Sequence, residues 1–207
     1  MYKLPYYTEA DQEKVIAFMK EHPFAMIAGL GEEYPVATQI PLAIETKGGK
    51  LFLHGHMMKK TDHQLAFEKN NKVLVLFNGP HCYISASWYG NSQMASTWDY
   101  MTVHARGRLN FLDEKGTHQA IRSITEKYEG KDTEAAFNKL SPEYVSTMIK
   151  AIIGFTIEVE SLENVFKLSQ NRDPESKKNI IRELKKRKDE NSRLIAKEME
   201  TRLQHEE

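Results

Sequence analysis

The residues HGHMMKKTDHQL, 54–65, place two lysines between the end of a predicted strand and the start of a predicted helix. Thr61 or Asp62 is the predicted N-cap of that helix, because both residue types accept hydrogen bonds from the first free backbone amides. Lys59 and Lys60 then lie beside a helix N-terminus, and this combination of charges and N–H donors binds phosphate dianions. The segment therefore predicts a phosphate site, with a merely solvated lysine pair as the alternative.

The segment GPHCYISASWYGNSQMASTWDY, 79–100, concentrates aromatic rings and small hydroxyl side chains. A nucleotide-like ligand needs an anion site and also a flat apolar slot for its ring. Four aromatic residues are predicted to wall such a slot: Trp88, Tyr89, Trp98 and Tyr100. Hydrogen bonds to the edge of the ring are expected from Ser85, Ser87 and Thr97. The alternative is that these aromatic residues form a small core or a contact between subunits.

Histidine and cysteine side chains offer two other chemistries. His54 and His56 share one face of a predicted strand, so a metal pair is geometrically possible. No carboxylate or cysteine lies close to them in the sequence, and no metal is predicted. Cys82 is expected to be a buried strand cysteine rather than a nucleophile. The sequence has no signature of a serine hydrolase, a zinc protease, a P-loop or a Rossmann site.

The elements that position these residues are mostly strands. Turn residues separate apolar or alternating runs, which predict strands at 24–30, 35–45, 50–56, 72–78, 82–87, 99–112, 154–161 and 163–169. Helices are predicted from a capping box at Thr8 and Asp11 to His22, and at 62–70, 113–130 and 141–152. Ser141 is the predicted N-cap of the last of these, with Pro142 at its first position. This pattern favours a mainly β fold with α additions, closed as an antiparallel barrel.

From residue 173 the chain becomes highly charged, and its apolar residues have the spacing of two amphipathic helices. Residues 177–188 hold seven lysines or arginines and one glutamate. Such a run is either a nucleic-acid contact or a solvated helix face, and the lack of interleaved aromatic residues favours the solvated face. The predicted division is a barrel domain, 1–172, with a C-terminal helical extension, 173–207.

Composition limits the class of protein. The 207 residues include 29 basic and 29 acidic side chains, so the whole chain has no electrostatic bias toward nucleic acid or an anionic membrane. Neither a signal peptide nor an apolar run long enough to span a bilayer is recognised. A single cysteine excludes an internal disulfide framework and suits a reducing compartment. We expect a cytoplasmic protein.

Several strings of the sequence resemble the PaiB-type family of FMN-binding negative transcriptional regulators, over residues 1 to about 203. They are PVATQIPL (35–42), HGHMMKK (54–60), GPHCYISASWY (79–89), STWDY (96–100), GF (154–155) and KLSQNR (167–172). The resemblance implies a split antiparallel β-barrel, as in pyridoxamine-phosphate oxidases and flavin reductases. It also implies that FMN is held at the interface of a homodimer.

The same resemblance implies the positions of the site. In the oxidases a strand reading FYTNYGSRK brings its final basic pair to the FMN phosphate, and FLHGHMMKK, 52–60, is similar to it. The match assigns Lys59 and Lys60 to the phosphate and His54 to a position where a threonine meets the cofactor. The chain departs from the oxidases at His54, His56 and Met58, and residues 37–40 lack their arginine, so pyridoxamine-phosphate oxidation is not expected. The predicted cofactor-binding residues are Thr38, Gln39, His54, His56, Lys59, Lys60, Thr61, Trp88, Trp98 and Tyr100.

The expected function is FMN-linked negative regulation of transcription by a homodimer, with direct DNA contact left open. Two alternatives remain, a flavin-dependent oxidoreductase acting on a small substrate and a haem-binding or haem-degrading barrel. An oxidoreductase needs a polar or cationic group to orient its substrate. The candidates for that role are Arg106, Arg108, Lys167 and Arg172.

Overall fold

The computed structural model describes residues 1–2, 4–90 and 93–206, with only the backbone at 205–206. Lys3, Asn91, Ser92 and Glu207 belong to the predicted domain ranges and lie outside the described residues. The strands are β1 (Phe24–Gly29), β2 (Val36–Pro41), β3 (Ala43–Lys47), β4 (Lys50–Met58), β5 (Lys72–Ile84), β6 (Thr97–Phe111) and β7 (Ile152–Lys167). The helices are α1 (Gln12–Glu21), α2 (Asp62–Lys69), α3 (Glu114–Glu129), α4 (Pro142–Ala151), α5 (Pro174–Lys186) and α6 (Glu190–Glu206). Short 3-10 turns lie at Pro5–Tyr7, Ala86–Trp88 and Phe137–Lys139.

The strands form one sheet in the order β2-β1-β5-β6-β7-β4-β3. The pairs β1–β2, β1–β5, β3–β4 and β4–β7 are antiparallel. Along β4 the alternate residues Leu51, Leu53, Gly55 and Met57 are buried, while Phe52, His54 and His56 are half-buried on the opposite face. This architecture confirms the predicted mainly β, antiparallel fold with helical additions.

The first helix begins later than the sequence predicts. Asp11 caps it, because Asp11 Oδ1 accepts hydrogen bonds from the backbone N–H groups of Glu13 at 2.9 Å and Lys14 at 3.4 Å. Thr8 instead donates its hydroxyl to Leu4 O at 3.3 Å. The prediction of a capping box from Thr8 was therefore wrong.

The predicted strand 35–45 is divided into β2 and β3. Leu42 separates them: it is buried, and its N–H donates to Pro23 O at 2.8 Å outside the strand ladders. After this residue the chain leaves β1 and pairs with β4. A run of alternating residues cannot reveal such a change of partner.

Elsewhere two predicted strands join into one. The predicted strands 72–78 and 82–87 form the continuous strand β5, and 154–161 and 163–169 form β7. In β5 the buried positions change from Val73, Val75 and Phe77 to Pro80, Cys82 and Ile84. The inward face therefore shifts by one residue at Asn78–Gly79. This shift produces the break that the sequence pattern suggests, without ending the strand.

Contacts group the chain into two compact units. The first unit comprises Met1–Phe18, Asn78–Val103 and Glu163–Glu207, and the second comprises Met19–Phe77 and His104–Leu162. In the first unit, α5 and α6 bury the apolar residues that predicted amphipathic helices, including Ile180, Leu184, Ile195 and Met199. In the second unit, a small core forms around Phe137, Val145 and Ile149. The boundary at residue 172 stays a prediction.

None of the described helices is long and apolar enough to cross a membrane.

Candidate functional site

The junction between β4 and α2, in the second unit, has the predicted form. Thr61 is the N-cap of α2, and its Oγ1 accepts from Gln64 N at 3.4 Å. The Gln64 side chain in turn accepts from the backbone N–H of Lys60 at 2.8 Å, which makes a variant of the capping box. Lys60 has a left-handed φ of 62°, an uncommon conformation for a residue with a side chain. The turn therefore holds the lysine pair in a defined position rather than on a loose loop.

The two lysines at this junction are exposed, and neither has a carboxylate partner among the described residues. Lys59 donates its backbone N–H to Ala151 O at 2.9 Å and its Nζ to Ile149 O at 3.2 Å. The nearby carboxylate of Asp62 is engaged by His63 at 3.0 Å, and the hydrogen bonds from His63 hold the pKa of Asp62 below its ordinary value. These residues fit a phosphate group, because no carboxylate within the described ranges forms an ion pair with either lysine.

His54 is held on both sides by hydrogen bonds. Its Nε2 donates to Glu45 Oε2 at 2.9 Å, and its Nδ1 lies 3.2 Å from Thr156 Oγ1. Because a carboxylate only accepts, the contact with Glu45 requires the proton on Nε2. The two contacts therefore fix the orientation of the imidazole ring.

Helix α3 covers part of the face of β4 that carries His54 and His56. Gly154, the β7 partner of His56, donates its N–H to Thr117 Oγ1 of α3 at 2.9 Å. A Cβ at Gly154 would lie only 3.0 Å from Thr117 Cα, so this close approach of helix and sheet requires glycine. The Nδ1 of His56 is buried without a hydrogen-bond partner among the described residues, and burial lowers the pKa of this imidazole.

Beside this contact, α3 and the sheet line an open cavity of about 490 Å³. Its walls are largely apolar, and His54 and Thr156 supply polar atoms. The lining includes Ala43, Glu45, Leu112, Gln119 and Ile124. Cavities of ~300–1,000 Å³ with apolar walls and a few placed polar groups are typical of small-molecule sites. The unpartnered nitrogen of His56 and the oriented ring of His54 are consistent with a ligand on this face.

Thr38 and Gln39 lie on β2, at the end of the strand order and also in the second unit. Thr38 pairs with Ile27 and is half-buried, whereas Gln39 pairs with Met26 and is exposed. Their role in binding stays a prediction.

The aromatic residues of the predicted slot belong to the first unit. Trp88 packs against the guanidinium of Arg187, whose Cζ lies 4.8 Å from the centre of the ring. Trp98 is 55% exposed and lies about 6 Å from the rings of His81 and Tyr83. Tyr100 is half-buried, and burial raises the pKa of its hydroxyl.

The ten predicted cofactor-binding residues therefore fall into two sets. Seven lie in the second unit, on β2, on β4 and at the β4–α2 junction, and three aromatic residues lie in the first. Tyr89, which was also predicted to line the slot, is buried and stacked with Arg172 at 4.4 Å.

Asp99 is a buried polar residue that the sequence analysis did not single out. It lies between Trp98 and Tyr100, and its side chain has no exposed surface. Ser169 Oγ donates to Asp99 Oδ2 at 2.7 Å, and Lys167 Nζ lies 3.8 Å from Oδ1. The signal in the sequence that could have pointed to Asp99 is a carboxylate at an inward-facing position of the long strand β6. Lys167 and Arg172, two of the predicted substrate-orienting residues, both lie close enough to Asp99 to influence its pKa.

The fold is that of known flavin proteins. The flavocytochrome Anf3 from Azotobacter vinelandii is similar, with a TM-score of 0.63 and 14% identity, covering 81% of this chain and 72% of that one. The FAD and haem binding protein from Mycobacterium smegmatis has a TM-score of 0.57 and 12% identity, covering 78% and 73%. At these identities the likeness establishes the fold alone. The fold is thus the predicted split antiparallel β-barrel with a C-terminal helical extension.

The family follows from the sequence matches. Residues 1–161 match the model of the family described as "Putative FMN-binding domain". The protease synthase and sporulation protein PAI 2 of Bacillus subtilis, strain 168, is 34% identical over 174 residues, which are 84% of each chain. The chain belongs to this FMN-binding domain family. The match confirms the predicted PaiB-type family and FMN as its cofactor.

Proposed function

We propose that the chain is an FMN-binding negative regulator of transcription that acts as a homodimer. The observation that carries the FMN site is the exposed lysine pair of the β4–α2 junction, which has no carboxylate partner among the described residues. No carboxylate among the described residues pairs with either lysine, and both precede the N-terminus of α2, whose dipole favours an anion, so they suit a phosphate. His54 and His56 are the proposed contacts on the sheet next to it.

FMN supplies reversible electron and hydride chemistry when it is bound. The residues of this chain bind and orient it. Lys59 and Lys60 neutralise the phosphate, and Glu45 and Thr156 hold the ring of His54 in one orientation. Helix α3 supplies apolar wall to the cavity beside His54.

The regulatory role is proposed from the relative, since PAI 2 of Bacillus subtilis is named for protease synthesis and sporulation. Direct DNA binding through α5 has less support, because several basic side chains of 177–188 are already engaged. Lys185 pairs with Glu200, Lys186 with Glu183, and Arg187 with the Trp88 ring. We therefore propose that regulation depends on the flavin-bound state and not on this helix. A mobility-shift assay with duplex DNA at low salt tests this point, and tight binding abolished by K185A/K186A would contradict it.

The phosphate contact is tested with the double variant K59A/K60A. Each charge-assisted hydrogen bond contributes roughly 1.5 kcal/mol or more, so we expect FMN binding to weaken about 100-fold or more. Riboflavin, which lacks the phosphate, is expected to bind both proteins equally. Flavin fluorescence quenching measures both affinities.

The matched control is K14A/K20A, which removes two exposed lysines of α1. It is expected to leave FMN affinity unchanged. An equal loss for FMN and riboflavin in K59A/K60A would show that these lysines do not hold the phosphate. The absorption spectrum of the purified protein adds a second test, since a Soret band in place of flavin bands would support the haem alternative.

The homodimer is proposed from the family resemblance and from the exposed aromatic surface of the first unit. Trp98 and Tyr83 are 55% and 42% exposed, and aromatic side chains are enriched at interfaces. The variant W98S is expected to weaken the dimer, as measured by light scattering at micromolar concentration. It is also expected to weaken FMN binding, as measured by flavin fluorescence quenching. Y34S, which removes a 78% exposed ring of the second unit, is the control. A monomeric wild-type protein that retains flavin would refute the dimer.

The oxidoreductase alternative has its own test. Turnover of reduced nicotinamide in the presence of FMN at ~1 per second or faster, the range of typical enzymes, would replace the regulatory proposal.

A further inference from the structure

The open cavity between α3 and the sheet has polar side chains that the proposed flavin contacts leave unused. Its lining comes from β3, β4, β7, α3 and Leu112, all within the second unit. Its volume is about 490 Å³, and most of its wall is apolar. Lys59 and Lys60 are not among the lining residues. The cavity therefore offers room for a small molecule apart from the lysine pair assigned to the FMN phosphate.

Glu45 gives this cavity its charge. Among the described residues that line the cavity, it is the only aspartate, glutamate, lysine or arginine. Its Oε2 accepts from His54 Nε2 at 2.9 Å, while its Oε1 makes no hydrogen bond to a described residue. The side chain is 52% exposed, so a ligand can reach it. One oxygen of an oriented carboxylate is thus available to a hydrogen-bond donor.

The hydrogen bonds of His54 do not require a positive charge on its ring. Nε2 carries the proton that Glu45 accepts, and Nδ1 lies 3.2 Å from Thr156 Oγ1. Because a hydroxyl group donates as well as accepts, Thr156 satisfies Nδ1 without a second ring proton. The neutral imidazole leaves the charge of Glu45 uncompensated within the cavity wall.

Nearby cations on the same elements are paired elsewhere. On β4, Lys50 pairs with Glu158 at 2.6 Å, and on α3, Arg122 pairs with Glu126 at 2.8 Å. Neither cation lines the cavity. A cavity whose one charged wall residue is a carboxylate favours a cationic ligand over an anionic one.

Helix α3 adds neutral acceptors to the opposite wall. Gln119 and Ser123 lie one turn apart on the helix, and both line the cavity. Their side chains make no hydrogen bond to a described residue, and an amide and a hydroxyl each supply an acceptor oxygen. An ammonium group has three N–H donors. The free acceptors of the cavity, including Glu45, match such a group.

We propose that this cavity binds a small primary amine with an apolar body, whose ammonium group pairs with Glu45. The apolar side chains of Leu112, Ala120 and Ile124 contact the hydrocarbon part. The inference goes beyond the proposed flavin function and does not depend on the phosphate contact. An amine bound here is a small-molecule signal that the proposed regulator would receive next to His54.

The experiment compares three ligands that share one hydrocarbon chain and differ in charge: n-hexylamine, n-hexanol and hexanoate. Each is titrated at pH 7 into the full chain labelled with ¹⁵N, at constant ionic strength. The backbone amide resonances of Gly55 and Gly116, which line the cavity, report binding. Gly130, in the same unit but outside the cavity, is the control resonance. The titrations contain no flavin, so their outcome is independent of the K59A/K60A test.

We expect saturable shifts of Gly55 and Gly116 and none of Gly130. Hexylammonium is expected to bind about two- to fivefold more tightly than hexanol, which is the range of partly exposed ion pairs. Hexanoate is expected to bind most weakly, because Glu45 repels it. n-Butylamine, which is two methylene groups shorter, is expected to bind about tenfold more weakly than hexylamine.

Two variants separate the charge from the cavity. In E45Q the new amide oxygen still accepts from His54, and the preference for hexylammonium over hexanol is expected to disappear. In A120L the larger side chain fills the cavity, and binding of all three ligands is expected to be lost. E143Q, which changes an exposed glutamate of α4 outside the cavity, is the matched control and is expected to keep the wild-type preference.

Several results would overturn the proposal. Equal affinities for the amine and the alcohol in the wild type would remove the role of Glu45, as would an unchanged preference in E45Q. Tighter binding of hexanoate than of hexylammonium would show an anion site instead. Binding that persists in A120L, or a shift of Gly130 equal to that of Gly55, would place the ligand outside this cavity.

Discussion

The buried carboxylate of Asp99 makes a quantitative prediction about stability. The pKa of Asp99 is raised from 3.8 to about 6, and burial is the largest cause. The folded protein therefore binds this proton more tightly than the unfolded chain does. Stability is highest when Asp99 is protonated, falls as the pH rises from about 4 to about 6, and is constant above that range with respect to this group.

The size of the effect follows from the change in pKa. Ionised Asp99 costs the folded state about 3 kcal/mol relative to the protonated form. In D99N the side chain cannot ionise, so this fall in stability with pH is expected to disappear. Other groups titrate in the same range in both proteins, and the difference between the two stability profiles isolates Asp99.

The assay is urea unfolding at intervals between pH 4 and pH 8, monitored by tryptophan fluorescence. We expect the wild type to lose about 2.5 kcal/mol more than D99N over this range, because part of the full effect has already been lost at pH 4. D132N, which changes an exposed aspartate, is the control and is expected to follow the wild-type profile. Parallel profiles for D99N and the wild type would refute the argument that burial shifts this acid.

Two other outcomes follow from packing. The variant G107A is expected to lose about 2 kcal/mol or more in urea unfolding, because its Cβ would lie 2.3 Å from the backbone oxygen of Glu158, whereas G90A meets nothing within 4 Å and serves as the control. Equal stabilities of the two variants would contradict the close approach at Gly107. Cys82 is 4% exposed, and burial raises the pKa of its thiol to about 12. Iodoacetamide at pH 8 is therefore expected to alkylate it slowly in the folded protein and rapidly in urea, as followed by mass spectrometry; fast alkylation of the folded protein would contradict its burial.

The local patterns of the sequence predicted most of the elements, because each depends on residues close in the chain. Ser141 and Pro142 begin α4 as expected, with Ser141 Oγ accepting from Tyr144 N at 3.2 Å. The alternation in residues 50–58 correctly placed His54 and His56 on one face of β4. One error was local, since Asp11 and not Thr8 caps α1 through hydrogen bonds to residues two and three positions further on. The other occurred where tertiary contacts decide, because β2 ends before Leu42 as the chain changes its strand partner there.

By itself the sequence determined the family, the mainly β antiparallel fold, and the lysine pair at the start of α2, since these are carried by contiguous strings and by short-range periodicity. Only the tertiary structure decided which residues surround Asp99 and His54. Ser169 reaches Asp99 across a separation of 70 residues, and Thr156 reaches His54 across 102. No spacing rule links residues so far apart, because the pairing of strands and the burial of each side chain are set by the whole sheet. The same burial raises the pKa of Asp99, so the chemistry of that acid is a property of the fold and not of the string STWDY.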